Sequence, residues 1–205
     1  MKIILSSRGI ENENVENAFL KLLPKKKKLS AVIITTASVD FKEKDYNAIK
    51  TKEQLNKLNI DVTFLDIEFE KATILKQADI IYLNGGNPYY LLHFIKEKEI
   101  KKHIEEAINR NTILIGSSAG AFVLTKTIEI IDLFTPEQNT INLIKKNALN
   151  FLPFEILPHF DKYVSRGIIK ENLVKEYEQK KNINIIKIKE KEAYIIDGNK
   201  QYYIS

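Results

Sequence analysis

The stretch Thr112-Ile113-Leu114-Ile115-Gly116-Ser117-Ser118-Ala119-Gly120-Ala121-Phe122-Val123-Leu124 decides the fold. Thr112–Ile115 is a short apolar run of the kind a strand buried on both faces needs. The apolar residues after Ala119 suit a buried helix. Between them, Gly116-Ser117-Ser118-Ala119-Gly120 fits G-x-S-x-G, in which a strand turns sharply into a helix and holds its serine in a strained conformation. Small residues two positions to either side let neighbouring backbone approach that turn. The Ser118 hydroxyl then projects from the carboxyl edge of the sheet, where α/β proteins place their ligands. The start of the helix aims free N–H groups at the same spot, which makes the N–H of Ala119 one donor for an oxyanion. Ser117 lacks the spacing to the flanking glycines. A glycine-rich turn that only packs a strand on a helix has the same five residues, so context must decide.

Outward from this turn, strand and helix signals alternate. Ile3–Ser6 reads as a strand, and Val15, Phe19, Leu22 and Leu23 follow at helical spacing. Ala31–Thr36 is a continuous apolar strand, followed by a polar helix over 43–58 and a strand at Asp61–Leu65. Ile80–Leu83 is a further strand, closed by Asn84-Gly85-Gly86-Asn87-Pro88. Leu91, Leu92 and Ile95 mark the next helix, and Ile100, Ile104, Ala107 and Ile108 another over 99–110. Beyond the serine turn the pattern loosens. Phe154–Leu157 reads as a strand stopping at Pro158-His159, and 163–180 as a helix. Ile183–Ile188, Ala193–Ile196 and Gln201–Ile204 read as strands, the last two joined by the hairpin turn Asp197-Gly198-Asn199. This rhythm predicts one α/β domain over residues 1–205, a three-layer structure with a mostly parallel sheet and helices on both faces.

Composition narrows the classes of function. The chain has 205 residues, 44% hydrophobic and 29% charged, with a net charge of +5. No apolar run nears the roughly 20 residues of a membrane span, and Met1–Ser7 is too short in its apolar part to be a signal peptide. The expectation is a cytoplasmic protein with no membrane partner. With no cysteine, disulfides, cysteine-ligated zinc and a thiolate nucleophile are excluded. The run Lys25-Lys26-Lys27-Lys28 reads as a solvated turn between a helix and a strand. No interleaved aromatics or nucleic-acid motif accompany it, so no nucleic-acid partner is expected. Neither G-x-G-x-x-G nor a P-loop is present, and no cofactor or metal is expected.

The residues that could work with Ser118 are few. Gly85-Gly86 closes another strand and should lie on the same edge of the sheet, where the N–H of Gly86 could serve as a second oxyanion donor. Of the three histidines, His103 lies among charged residues and His93 in a helix. His159 stands where a strand leaves the sheet and is the candidate base that takes and returns the Ser118 proton. A carboxylate must hold its imidazole in one tautomer. Asp132, Asp161, Glu129 and Glu192 are the candidates, and Asp132 gives the order Ser, Asp, His.

Three segments, Asn84-Gly85-Gly86-Asn87-Pro88-Tyr89-Tyr90-Leu91-Leu92, Gly116-Ser117-Ser118-Ala119-Gly120-Ala121 and Leu157-Pro158-His159-Phe160, resemble peptidase family S51, that of dipeptidase E (aspartyl dipeptidase) and cyanophycinase. They occur in the family's order and at similar spacing. The resemblance implies a class I glutamine-amidotransferase-like (flavodoxin-like) fold with serine in place of cysteine. It implies hydrolysis of small peptides, often after an N-terminal aspartate, by a monomer or homodimer. It places Ser118 as nucleophile, His159 as base, Gly86 and Ala119 in the oxyanion hole, and favours Asp132 as the acid, with Glu129 and Glu192 as variants. Asn87 and Arg166 are candidates to bind the substrate, although Arg166 does not match the family's arginine position. A small-ester hydrolase and a binding protein without catalysis are the competing functions.

Overall fold

A computed structural model describes residues 1–205. Seven strands form one sheet in the order β3 (Ile60–Leu65), β2 (Leu29–Ile34), β4 (Ile80–Leu83), β5 (Ile113–Ser117), β1 (Lys2–Ser6), β8 (Ala193–Asp197), β9 (Lys200–Ile204). The first five run parallel. β8 runs antiparallel to β1, and β9 folds back on β8 through a turn in which Gly198 takes φ 60°.

Alternation along the strands divides the interior in two. Ile4, Ile33, Tyr82, Ile113 and Ile115 face a core closed by α1 (Glu13–Leu22) and α2 (Tyr46–Lys57). Ile3, Leu5, Val32, Ile34, Ile81 and Leu114 face a larger core on the other side. That core is covered by α3 (Pro88–Glu97), α4 (Ile100–Asn109), the short α5 (Ala119–Leu124) and α7 (Glu171–Lys181). These are the expected three layers. Helix starts follow local chemistry: the side chains of Asn12, Asp45 and Asn87 each accept a backbone N–H of the helix they precede.

The second half departs from expectation in two places. Glu155–Leu157 (β6) does not join the main sheet but pairs in parallel with Ile185–Lys187 (β7) in a two-stranded sheet of its own. The helix expected over 163–180 is two, α6 (Phe160–Ser165) and α7, separated by residues 166–170, where Gly167 takes a left-handed φ of 67° that ends the first. In the lysine run, Lys26 pairs with Asp79 and Lys28 with Asp61, at the amino-terminal edge of the sheet. No helix is long and apolar enough to cross a membrane.

Candidate active site

The carboxyl ends of β1, β4 and β5 open on a cavity of about 340 Å³ lined mostly by polar residues and glycines. Ser118 sits at its base, between β5 and α5, with φ 50° and ψ −110°. A side chain carrying a Cβ holds such a backbone only where its surroundings enforce it. Here the enforcement is close packing. A Cβ on Gly120 would overlap the Leu83 carbonyl of β4, and one on Gly116 would stand 2.7 Å from Ala121 Cα. The N–H of Ser118 is also bonded to the carbonyl of Ser6, at 2.9 Å.

Gly85 and Gly86 line the same cavity, and Gly86 takes φ 135°. Neither glycine donates its N–H to another backbone group, because the loop closes one residue later through Asn87 N–H to the Ala37 carbonyl, 2.7 Å. Ala119 is the first residue of α5, so no carbonyl of that helix faces its N–H. Three backbone N–H groups from two turns, those of Gly85, Gly86 and Ala119, are therefore without a backbone partner at the edge where Ser118 lies.

His159 reaches the cavity from the small sheet, at the junction of β6 and α6, with a left-handed φ of 58°. Its ring is mostly buried and lies beside Tyr163, with centroids 5.6 Å apart. Nδ1 of His159 is hydrogen-bonded to Oε2 of Glu190. The other Glu190 oxygen meets Lys162 Nζ at 3.2 Å, with Arg8 at 3.9 Å. Burial pushes the Glu190 carboxyl up, but the hydrogen bonds and charges of His159 and Lys162 outweigh it and hold it below the usual carboxylate range.

None of the four expected carboxylates bonds the imidazole. Asp132 accepts from the Tyr89 hydroxyl at 2.7 Å and from Lys146 Nζ at 2.5 Å. Glu129 is paired with Lys181. Asp161 and Glu192 instead shape the turn that presents Glu190: Asp161 accepts the Glu190 N–H at 2.8 Å, and Glu192 accepts that of Lys189 at 3.0 Å. Asn87 is occupied as the cap of α3 and as donor to the Gln138 carbonyl, and Arg166 caps α6 away from the cavity lining. The cations that do line the cavity are Arg8 and Lys162. Glu190, Arg8 and Lys162 were not foreseen. Glu190 lies in the run Lys189-Glu190-Lys191-Glu192, which carries only the signature of a charged surface turn; the one available hint was its position just before a strand.

A serine on a strained strand-to-helix turn, free backbone N–H groups beside it, and a histidine–carboxylate pair in the same cavity constitute the equipment of a serine-type hydrolase. The model of peptidase family S51 matches residues 3–204, and the chain belongs to that family. The uncharacterized peptidase Lmo0363 of Listeria monocytogenes serovar 1/2a is 32% identical over 173 residues, 82% of either chain. Peptidase E of Escherichia coli O6:K15:H31 is 31% identical over 138 residues, 67% of this chain and 58% of its own length. Among solved structures, a candidate peptidase E protein from Listeria monocytogenes EGD-e superposes with TM-score 0.77 at 27% identity, over 99% of this chain and 97% of that one. A peptidase from an acI-B1 Actinobacterium, at 20% identity and TM-score 0.71, shares the fold. The protein is a serine-type peptidase on a class I glutamine-amidotransferase-like framework.

Proposed function

We propose that this peptidase hydrolyses small peptides through an acyl-enzyme formed on Ser118, with His159 as general base and Glu190 in the place expected for Asp132. One observation carries the reading. Ser118, in its strained conformation, opens onto the cavity that also receives His159, and Nδ1 of His159 is engaged by a carboxylate. Glu190 fixes the imidazole tautomer and leaves Nε2 free to take the Ser118 proton. As Oγ attacks the scissile carbonyl, the developing oxyanion meets the N–H groups of Gly86 and Ala119. The imidazolium returns its proton to the leaving amine, and water then attacks the acyl-enzyme by the same route.

The cavity's volume, about 340 Å³, suits a ligand of dipeptide size. Arg8 and Lys162 line it together with Glu11, Asp45 and Glu190, and each cation is paired with one of these carboxylates. On the resemblance to the aspartyl dipeptidase family rather than on this charge balance, we propose N-terminal aspartyl dipeptides as the first substrates to try. The test is a panel of Asp-Xaa, Ala-Xaa and ester substrates against the wild type and Ser118→Ala. Hydrolysis of the Asp-Xaa members, abolished by Ser118→Ala in a protein of unchanged melting temperature, is the expected result. Undiminished turnover in Ser118→Ala overturns the mechanism, and a preference for neutral dipeptides or esters overturns the substrate class.

A further inference from the structure

Nucleophile, base and acid come from distant parts of the chain, and they meet at Ser6, the last residue of β1, and Ser7, which follows it. Ser118 is tied to Ser6 through its N–H. Ser7 is 2% exposed, and its side chain is engaged on both sides. Its Oγ accepts the N–H of His159 at 2.8 Å. The same hydroxyl donates to the carbonyl of Lys189 at 2.9 Å, with the Ile188 carbonyl at 3.3 Å as a second acceptor. Lys189 immediately precedes Glu190. A hydroxyl has one proton to give and lone pairs to accept, so this single small side chain closes both contacts at once.

We propose that Ser7 is a positioning residue for the reaction: its hydroxyl ties the backbone of the base to the turn that carries the acid and sets the imidazole against both Ser118 and Glu190. The inference rests on the roles given above to Ser118, His159 and Glu190. It follows from where the two bonds end. His159 holds a left-handed backbone, so its N–H anchor fixes the direction in which the ring leaves the chain. The Lys189 anchor fixes the turn whose next residue meets that ring. Loss of the hydroxyl leaves the three functional side chains in place but frees their mutual distance, and catalytic rates fall steeply with displacements of about 1 Å.

The experiment compares Ser7→Ala with wild type in the full chain, using kinetics, melting temperature and the proton resonance of His159 Nδ1–H, which is assignable because the chain has three histidines. The charged and polar groups around that ring are Glu190 on its turn, Lys162 and Tyr163 on α6, and Arg8 after β1. The control is Thr112→Val, which removes another buried hydroxyl-to-carbonyl bond, 3.0 Å to Ala78, at the opposite edge of the sheet. For Ser7→Ala, kcat should fall about 10- to 100-fold with KM within about twofold, and the Nδ1–H resonance should shift or broaden. Thr112→Val should lower the melting temperature while sparing both kcat and the resonance. A Ser7→Ala enzyme with wild-type kcat and an unmoved resonance overturns the proposal, as does an equal kcat loss in Thr112→Val. If the wild type neither cleaves peptides nor reacts with a fluorophosphonate, the proposed function is what fails. The resonance comparison needs no substrate and still decides whether Ser7 holds the ring.

Discussion

Replacing Glu190 by Gln removes one negative charge from beside His159 while keeping the size of the side chain. The two side chains are 13% and 21% exposed, so the pair is neither dry nor fully solvated. Charges about 4 Å apart at an effective dielectric of about 20 interact by about 4 kcal/mol. In the proposed mechanism that attraction is absent while His159 is neutral and fully present in the imidazolium of the transition state, so its loss is worth up to about three decades in rate. Lys162, 3.2 Å from the second oxygen, takes part of the carboxylate's field, so Glu190→Gln should lower kcat about 100- to 1000-fold with a small change in KM. Asp132→Asn is the matched comparison. Its carboxylate serves Tyr89 and Lys146, so it should cost stability and change kcat by less than about threefold. The assay is steady-state hydrolysis of the best dipeptide, checked by the rate of fluorophosphonate labelling of Ser118. A Glu190→Gln enzyme within tenfold of wild type, beside an Asp132→Asn enzyme that has lost about 100-fold or more, would refute the assignment of Glu190 and restore Asp132.

The same carboxylate leaves a signature in stability. Its folded pKa lies below the ordinary 4.5, so the stabilisation it contributes is fully present above that value and is lost as pH falls through the folded one. The difference in unfolding free energy between wild type and Glu190→Gln should shrink as pH falls from about 5 through the folded value; a difference that grows over that range contradicts this sign. Gly120→Ala should lower the melting temperature by roughly 4–10 °C, because its Cβ meets the backbone of β4, and a thermogram unchanged from wild type would show that the turn is not close-packed. Ser6→Ala should leave the melting temperature unchanged or raise it by about 2–4 °C, since the Ser6 hydroxyl is buried with no partner; a clear fall would mean that the hydroxyl is satisfied.

The parts of the molecule legible in the sequence are those whose physics is local. β1, β2, β4 and β5 are buried on both faces, and each announces itself as an apolar run. The serine turn carries its own steric requirement in Gly116 and Gly120. The rest was hidden for identifiable reasons. β6 and β7 are three residues each, too short for alternation to say which sheet they join. The break between α6 and α7 spans only residues 166–170 and is marked in the sequence by a single glycine, Gly167. Asp132 lay at a plausible spacing after Ser118, but nothing local in the sequence reveals that Tyr89 and Lys146 would claim it. Glu190 was least legible, because a charged turn acquires meaning only from what its neighbours pair with.

Those pairings explain why the carboxylate that meets His159 comes from so late in the chain. β8 runs antiparallel to β1, with Ala193 opposite Ser6. The residues just before an antiparallel strand lie beside the end of its partner, so the turn 189–192 is delivered to the carboxyl edge of β1. The register of β1 on β5 sets Ser6 opposite Ser117, and Ser118 is the next residue. In the small sheet β6 and β7 run parallel, with Leu157 opposite Lys187. Both strands therefore leave at the same end, and the segments 158–159 and 188–190 continue side by side. One register carries Glu190 to the edge where Ser118 lies, and the other carries His159 to Glu190. A carboxylate on the segment after β5, where Asp132 lies, is subject to neither register. One on the 189–192 turn is subject to both, and the Ser7 hydroxyl, bonded to the backbone of His159 and of Lys189, closes the gap between the two sheets.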